Sequence, residues 1–325
     1  MGARYLIRRL VSAVATIGMI LLINFVLFRA MPGSPERMLL GRLPGVTPEV
    51  LEGTRERWGL DKPLFPDQFV AYVTSTLQGD LGFSYDSDGA TVTEVLLTRL
   101  GPTLLLFGLG ELIAIFLGLA LGAYSGWKRG GLVDHVGNAI SLFLYSTPYF
   151  LLGMALLVTF ATALGWFPTG RMVTAGREYT DVLDHFGDIA RHLVLPLATV
   201  SLGLVGQYAI LMRSSILDTL TEDYVTTARA KGLQEGRILR SHALPNALLP
   251  TVSLVAINLG YVVAGAITVE VVFNWPGLGT LTVEALSARD YPVLQGVFLL
   301  LSVTVVLANL GADLIYGLLD PRVRT

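Results

Sequence analysis

The 325-residue sequence contains no cysteine, which excludes disulfide scaffolds, thiolate metal sites and a thiol nucleophile together. Charge is scarce as well: 15% of residues are Asp, Glu, Lys or Arg, against about a quarter in soluble domains. Lysine occurs only at Lys62, Lys128 and Lys231, and the net charge of -2 leaves no basic excess to attract nucleic acid. The four histidines, His135, His185, His192 and His242, lie apart, at or beyond the ends of apolar runs, so no metal-ligand set is expected. No Gly-x-Ser-x-Gly turn accompanies them, which leaves an intramembrane serine enzyme without its pair. Gly-x-x-x-x-Gly-Lys-Ser/Thr is also missing, so the chain carries no phosphate-cradling loop of that kind.

What the sequence has in quantity is apolar residues, 53% of the total, with a mean hydropathy of +0.62. A hydrocarbon core of about 30 Å needs roughly 20 apolar residues in a helix, because unpaired backbone groups are not tolerated there. Six runs meet that length: Leu10–Phe28, Thr103–Tyr124, Val136–Leu164, Leu193–Met212, Ala247–Phe273 and Val293–Leu319. The first follows Arg8 and Arg9 as a secretory signal would, but it is too long and lacks a small-x-small site after it, so it reads as an anchored helix. Basic residues in the short flanks set orientation. Arg4, Arg8 and Arg9, then Lys128 and Arg129, then Arg229, Lys231, Arg237 and Arg240, then Arg322 and Arg324 all fall on one side of a six-span path, which makes both termini cytoplasmic. The expected fold class is therefore an all-α polytopic membrane protein: a first helix within 1–31, an external region 32–93 with a small helical cap, and a transmembrane domain 94–320.

Within the external region, Thr47-Pro48-Glu49 has the cap, proline and acid of a helix start, with Gly59 as its stop. A second helix is expected from Pro66 to Gln78, with Phe69, Tyr72, Val73, Thr76 and Leu77 on one face and Gly79 as the breaker. Gly118, Gly122 and Gly126, four residues apart, let a neighbouring helix approach the second span. Polar residues inside apolar runs either line a pathway or hydrogen-bond between helices. Glu111, Asn138, Gln207 and Asn258 are in that position, while Glu270 and Asp313 near span ends read as interfacial, structural or gate residues. No repeated halves with paired broken helices are visible, which disfavours a carrier working alone.

The segment 213–246 between the fourth and fifth spans reads as two short helices. Asp223 caps the first, Gly232 reverses the chain after Lys231, and a second runs from about Gln234 to Ala243 before Leu244-Pro245 redirects it into the fifth span. On composition this is a solvated charged hairpin, but its order of residues is more specific. Gly232 and Pro245 stand thirteen apart, with Tyr224-Val225 and Ala228-Arg229-Ala230-Lys231-Gly232-Leu233 before them and His242-Ala243-Leu244-Pro245-Asn246-Ala247 closing the run. In this the chain resembles the permease subunits of ATP-binding-cassette importers, in the dipeptide, oligopeptide and nickel branch. Thr226-Thr227-Ala228 replaces the Glu-Ala-Ala usual in the wider family. Leu60-Asp61-Lys62-Pro63-Leu64, Gly79-Asp80-Leu81-Gly82-Phe83-Ser84, Gly165-Trp166-Phe167-Pro168-Thr169-Gly170, Val272-Phe273-Asn274-Trp275-Pro276-Gly277-Leu278-Gly279, Ala288-Arg289-Asp290-Tyr291-Pro292 and Leu318-Leu319-Asp320-Pro321-Arg322 are similar to the same branch.

That resemblance implies a type I importer domain in a bacterial plasma (inner) membrane, in contact with lipid, carrying short peptides inward, with nickel or another small solute as the alternative cargo. It implies a coupling helix whose contact with an ATP-binding subunit comes from Tyr224, Ala228, Arg229, Ala230, Lys231, Gly232 and Leu233, with Leu244 and Pro245 at the joint. It also implies a second homologous permease forming a heterodimer, ATP-binding cassette subunits that hold ATP and Mg, no cofactor in this chain, and an external peptide-binding protein. Asn274, Trp275, Pro276 and Asp290 are expected at the external gate or against that protein.

Overall fold

A computed structural model describes residues 3–30, 52, 61–87, 89–262 and 267–319. Among them the chain is all-helical, with one isolated antiparallel bridge between Phe83 and Thr91. The helices are α1 (Ala3–Ala30), α2 (Phe69–Leu77), α3 (Val92–Trp127), α4 (Leu132–Ser146), α5 (Tyr149–Leu156), α6 (Val182–Leu220), α7 (Asp223–Ala230), α8 (Glu235–Ile238), α9 (Leu244–Tyr261), α10 (Ile267–Val272), α11 (Leu278–Ala288) and α12 (Tyr291–Leu319). Of the helix expected over Thr47–Gly59 only Glu52 is described, and the segment Asp320-Pro321-Arg322 lies outside the described residues.

α3 and α6 form the spine. They have 36 and 39 residues, about 54 and 58 Å at 1.5 Å per residue, so each is longer than a hydrocarbon core of about 30 Å is thick. The glycine stripe is where they meet. A Cβ at Gly118 would stand 2.5 Å from Tyr208 Cβ, and one at Gly122 would stand 2.4 Å from the Ala209 carbonyl oxygen. Backbone therefore lies against backbone, the arrangement small residues permit in a membrane. Thr91 starts α3 with a reciprocal cap: its hydroxyl accepts from Glu94 N, and Glu94 Oε2 accepts from Thr91 N.

Among the described residues four helices, α1, α3, α6 and α12, are long and apolar enough to cross a bilayer, and the pair α4 and α5 with its wide-turn extension Leu157–Ala163 makes a fifth if counted as one span. That pair corrects the reading of Val136–Leu164 as one continuous span, because the two helices meet at 103°. Pro148 is the cause: its ring drives Thr147 out of the helical region, to φ -86 and ψ 121, and α5 restarts at Tyr149. The span expected at Ala247–Phe273 is likewise two helices, α9 and α10, with 263–266 between them outside the described residues. Neither is among the five crossing candidates.

The helix expected from Pro66 to Gln78 is present as α2, entered through the wide turn Leu64–Gln68 and ended by Gly79 at φ +80. It packs on α1, where the Phe25 ring meets Phe65, Phe69 and Tyr72 at 5.4–5.6 Å between centroids. α1 in turn lies along α12, tied by Arg9 to Asp313 at 2.9 Å and by the Tyr5 hydroxyl donating to the Asp313 carbonyl oxygen at 3.1 Å. Asp313, read from the sequence as interfacial, structural or gate, thus holds the first helix to the last.

Candidate functional site

The segment singled out in the sequence folds as a tight hairpin, α7–Gly232–α8. After Ala230 the chain closes a left-handed cap: Gly232 has φ +78, its N–H donates to the Arg229 carbonyl at 2.9 Å, and Leu233 N–H donates to the Ala228 carbonyl at 3.3 Å. This doubly bonded reversal is available to glycine without steric cost. Arg229 bridges across it to Glu235 at 3.0 Å. The hairpin has its own small core, in which Val225, Ala228 and Ile238 are buried and half-buried Trp127, Leu220 and Leu233 pack against them. Trp127 and Leu220 are the last residues of α3 and α6, so the hairpin is seated on the end of the spine.

Of the residues expected to contact a partner, Tyr224, Arg229, Ala230, Lys231, Gly232 and Pro245 are exposed, Leu233 and Leu244 are half-buried, and Ala228 faces inward. Ala228 is therefore part of the hairpin's foundation. Past α8 the expected redirection at Leu244-Pro245 takes a different form: the backbone stays helical through Ile238, Leu239 and Leu244 and relaxes into a wide turn over Leu239–Ala243. A proline has no N–H for the preceding turn, and a wider turn accommodates that loss without ending the helix. Ala243 and Ala247 pack there on Met212 and Ile216 of α6. The hairpin is thus continuous with α9.

Three of the four intramembrane polar candidates come together. The Tyr208 hydroxyl, fully buried on α6, donates to Glu111 Oε1 on α3 and accepts from Asn258 Nδ2 on α9 at 3.0 Å. Asn258 Nδ2 also lies 3.5 Å from Gln207 Oε1. Asn138 is half-buried on α4 and stands apart from this network. Tyr208 was not legible as its centre, since a tyrosine in an apolar run reads as one more apolar residue.

At the opposite end of the spine, the loop Asn274–Gly277 folds inward around Glu270. Its carboxylate, 0% exposed, accepts from Thr103 Oγ1 at 2.8 Å, Gly279 N at 2.7 Å and Thr280 N at 3.1 Å. Thr103 Oγ1 accepts in turn from Leu278 N at 2.8 Å, and Trp275 Nε1 donates to the Pro102 carbonyl at 2.9 Å. A Cβ at Gly277 would fall 2.2 Å from Glu270 Oε1, so only glycine lets the loop close this far. Trp275 is fully buried and Pro276 half-buried, while Asn274 is exposed at φ +47.

The family described as binding-protein-dependent transport system inner membrane component matches residues 114–325, and its companion, binding-prot-dependent transport system membrane comp, N-term, matches residues 2–106. This chain belongs to that family. Similar members include the glutathione transport system permease protein of Pectobacterium atrosepticum, 38% identical over 320 residues and 98% of each chain. The di/tripeptide transport system permease protein of Pseudomonas aeruginosa is 37% identical over 336 residues, again 98% of each chain.

In this transport-system component, two further buried carboxylates secure loops at the same end as Glu270. Asp290 caps α12 through Val293 N at 3.3 Å and gathers the loop before α3, accepting from Ser84 Oγ at 2.5 Å, Tyr85 N at 3.0 Å and Asp86 N at 3.2 Å. Asp188 on α6 accepts from Thr174 N at 2.7 Å, Thr174 Oγ1 at 2.8 Å and the Tyr179 hydroxyl at 2.8 Å. Asp290 and Trp275 therefore position loops from within and present no surface of their own. Asp290→Ala is expected to take this acceptor from Ser84 Oγ and Tyr85 N, at about 2–3 kcal/mol, and to loosen the 80–87 loop, with Asp86 N keeping Ser84 Oγ as an acceptor at 3.2 Å. Hydrogen exchange at the Tyr85 amide checks this: protection should fall there while that of α6 is retained.

Proposed function

We propose that the chain is one of two permease subunits of an ATP-driven importer that carries short peptides into a bacterial cell. It crosses the plasma (inner) membrane six times, with the hairpin end and both termini cytoplasmic and the ends of Asp188, Glu270 and Asp290 external. α9 and α10 together supply one crossing, and α4 with α5 another. α7 is the coupling helix. Its exposed face, Tyr224, Ala230 and Lys231 with the Gly232 reversal, fits a groove on a separate ATP-binding subunit that holds ATP and Mg, and Arg229 braces the turn. An external peptide-binding protein delivers cargo to the loop end, and a second homologous permease completes the pathway.

One observation carries this reading: the hairpin is seated on Trp127 and Leu220 and runs unbroken into α9. A push on α7 therefore reaches a long helix directly, as rigid-body coupling requires. Relatives named for glutathione and di/tripeptide transport, matched along nearly their full length, support short peptides as cargo.

The test is uptake in proteoliposomes. The complex of this chain with its permease partner and ATP-binding subunits should accumulate labelled di- and tripeptides when ATP and the binding protein are supplied, and this chain alone should accumulate none. Uptake by the chain alone on an ion gradient, or uptake of Ni2+ with no uptake of peptide, would overturn the proposal.

A further inference from the structure

The Glu111–Tyr208–Asn258 network joins one helix that belongs to the hairpin to two that do not. Glu111 and Tyr208 sit on α3 and α6, whose backbones touch through Gly118 and Gly122, so neither can shift without its neighbour. Asn258 sits on α9, about 21 Å along the helix from Leu244 at 1.5 Å per residue, and α9 continues from the hairpin without a break. The surroundings are apolar, with Ala114, Leu144 and Val205 buried around Tyr208 and Leu254 and Val255 of α9 packed against them. Apolar side chains slide past one another with little preference for register. A directed hydrogen bond does specify register, and in hydrocarbon no water replaces it once broken.

We propose that Tyr208 is a positioning residue for the transport step: its hydroxyl, polarised by Glu111, holds Asn258 and so keeps α9 at rest against the spine until the hairpin moves. Tyr208 is suited to this because one hydroxyl both donates and accepts, here toward Glu111 and from Asn258. Gln207, beside it, offers Asn258 a second acceptor at 3.5 Å, which α9 can use as it leaves the first. The inference rests on α7 being the coupling helix.

The experiment uses the assembled complex in lipid, reading the ATPase rate without cargo and its stimulation by cargo-loaded binding protein. Tyr208→Phe keeps the buried ring and removes the hydroxyl. It should raise the cargo-free rate roughly three- to tenfold, the range of one hydrogen bond, and lower the stimulation ratio by a similar factor. Asn258→Leu cuts the same bond from the α9 side, at a half-buried position, and should do the same, so it decides the matter if Tyr208→Phe fails to assemble. Glu111→Leu should repeat the effect, and Glu111→Gln, whose amide oxygen still accepts from the phenol, should recover most of it. A merely structural role would lower both rates in proportion to folded complex and leave their ratio alone; that result, or wild-type rates in Tyr208→Phe and Asn258→Leu, overturns the proposal. Gly232→Arg separates the two levels. If it uncouples the complex while Tyr208→Phe behaves as the parent, the latch is wrong and the coupling helix stands, and if Gly232→Arg also changes nothing, the coupling helix is wrong.

Discussion

Glu270→Ala is expected to cost the chain about 4 kcal/mol, roughly a thousandfold in the ratio of folded to unfolded protein. Three donors lose their acceptor at once, Thr103 Oγ1, Gly279 N and Thr280 N, in a place that water cannot reach to replace it. Each buried donor left unpaired costs about 1–3 kcal/mol. Gly277→Ala should do comparable damage from the other side, because its methyl would occupy the space of the carboxylate. Glu284→Ala is the contrast. That residue pairs with Arg99 at 2.9 Å but is half exposed, and such pairs contribute about 0–1 kcal/mol. Melting curves of the purified variants, followed by tryptophan fluorescence, should therefore show a large downward shift for Glu270→Ala and Gly277→Ala and almost none for Glu284→Ala. Equal shifts in all three would mean that the loop is not held by the carboxylate.

With α7 as the proposed coupling helix, Gly232→Arg should leave the chain folded and weaken its contact with the ATP-binding subunit. Nothing lies within 4 Å of a Cβ built on Gly232, so the cost to the isolated chain is conformational, about 1–2 kcal/mol for an L residue held left-handed. In the assembled complex the added side chain stands on the face that α7 presents. The loss of a well-packed interface position is about 2 kcal/mol or more, roughly thirtyfold in affinity. Gly232→Asn, which tolerates the left-handed conformation, should bind several-fold better than Gly232→Arg. Pull-down of the ATP-binding subunit by purified variants, at matched amounts of folded chain, measures this directly.

How far these sites can be read from residues alone depends on what kind of contact makes them. The α7–Gly232–α8 hairpin was legible because a glycine reversal acts locally, although Glu222 and not Asp223 holds the cap position of α7 and makes no side-chain cap bond. A close helix contact at Gly118 and Gly122 was legible because glycines at four-residue spacing have few other uses in a long apolar run, but its partner α6 was not. The 103° break at Pro148 was hidden by its surroundings: the chain is apolar both before and after Thr147-Pro148, and hydropathy carries no direction. Asn274, Pro276 and Gly277 are turn-forming residues beside an apolar run, so the stretch with Trp275 reads as an exposed loop. What turns Trp275 inward is the Pro102 carbonyl and, beneath the loop, the Glu270 carboxylate with Thr103, a meeting of distant segments that no local pattern announces. The signature from Tyr224 to Leu233 has no local mark that separates its outer residues from Ala228, which is buried. An eight-residue helix seated on Trp127 has two faces, and the small residue lies on the inner one.

Coupling through the hairpin requires α7 to be gripped by a separate ATP-binding subunit, and the absence of cysteine from the chain makes this directly measurable. A single cysteine introduced at Ala230, exposed on α7, should cross-link to a cysteine in the groove of that subunit in the assembled complex and become inaccessible to a water-soluble maleimide on assembly. If residue 230 stays fully reactive in a complex that hydrolyses ATP and transports, with no cross-link to the ATP-binding subunit, the hairpin is not the point of coupling.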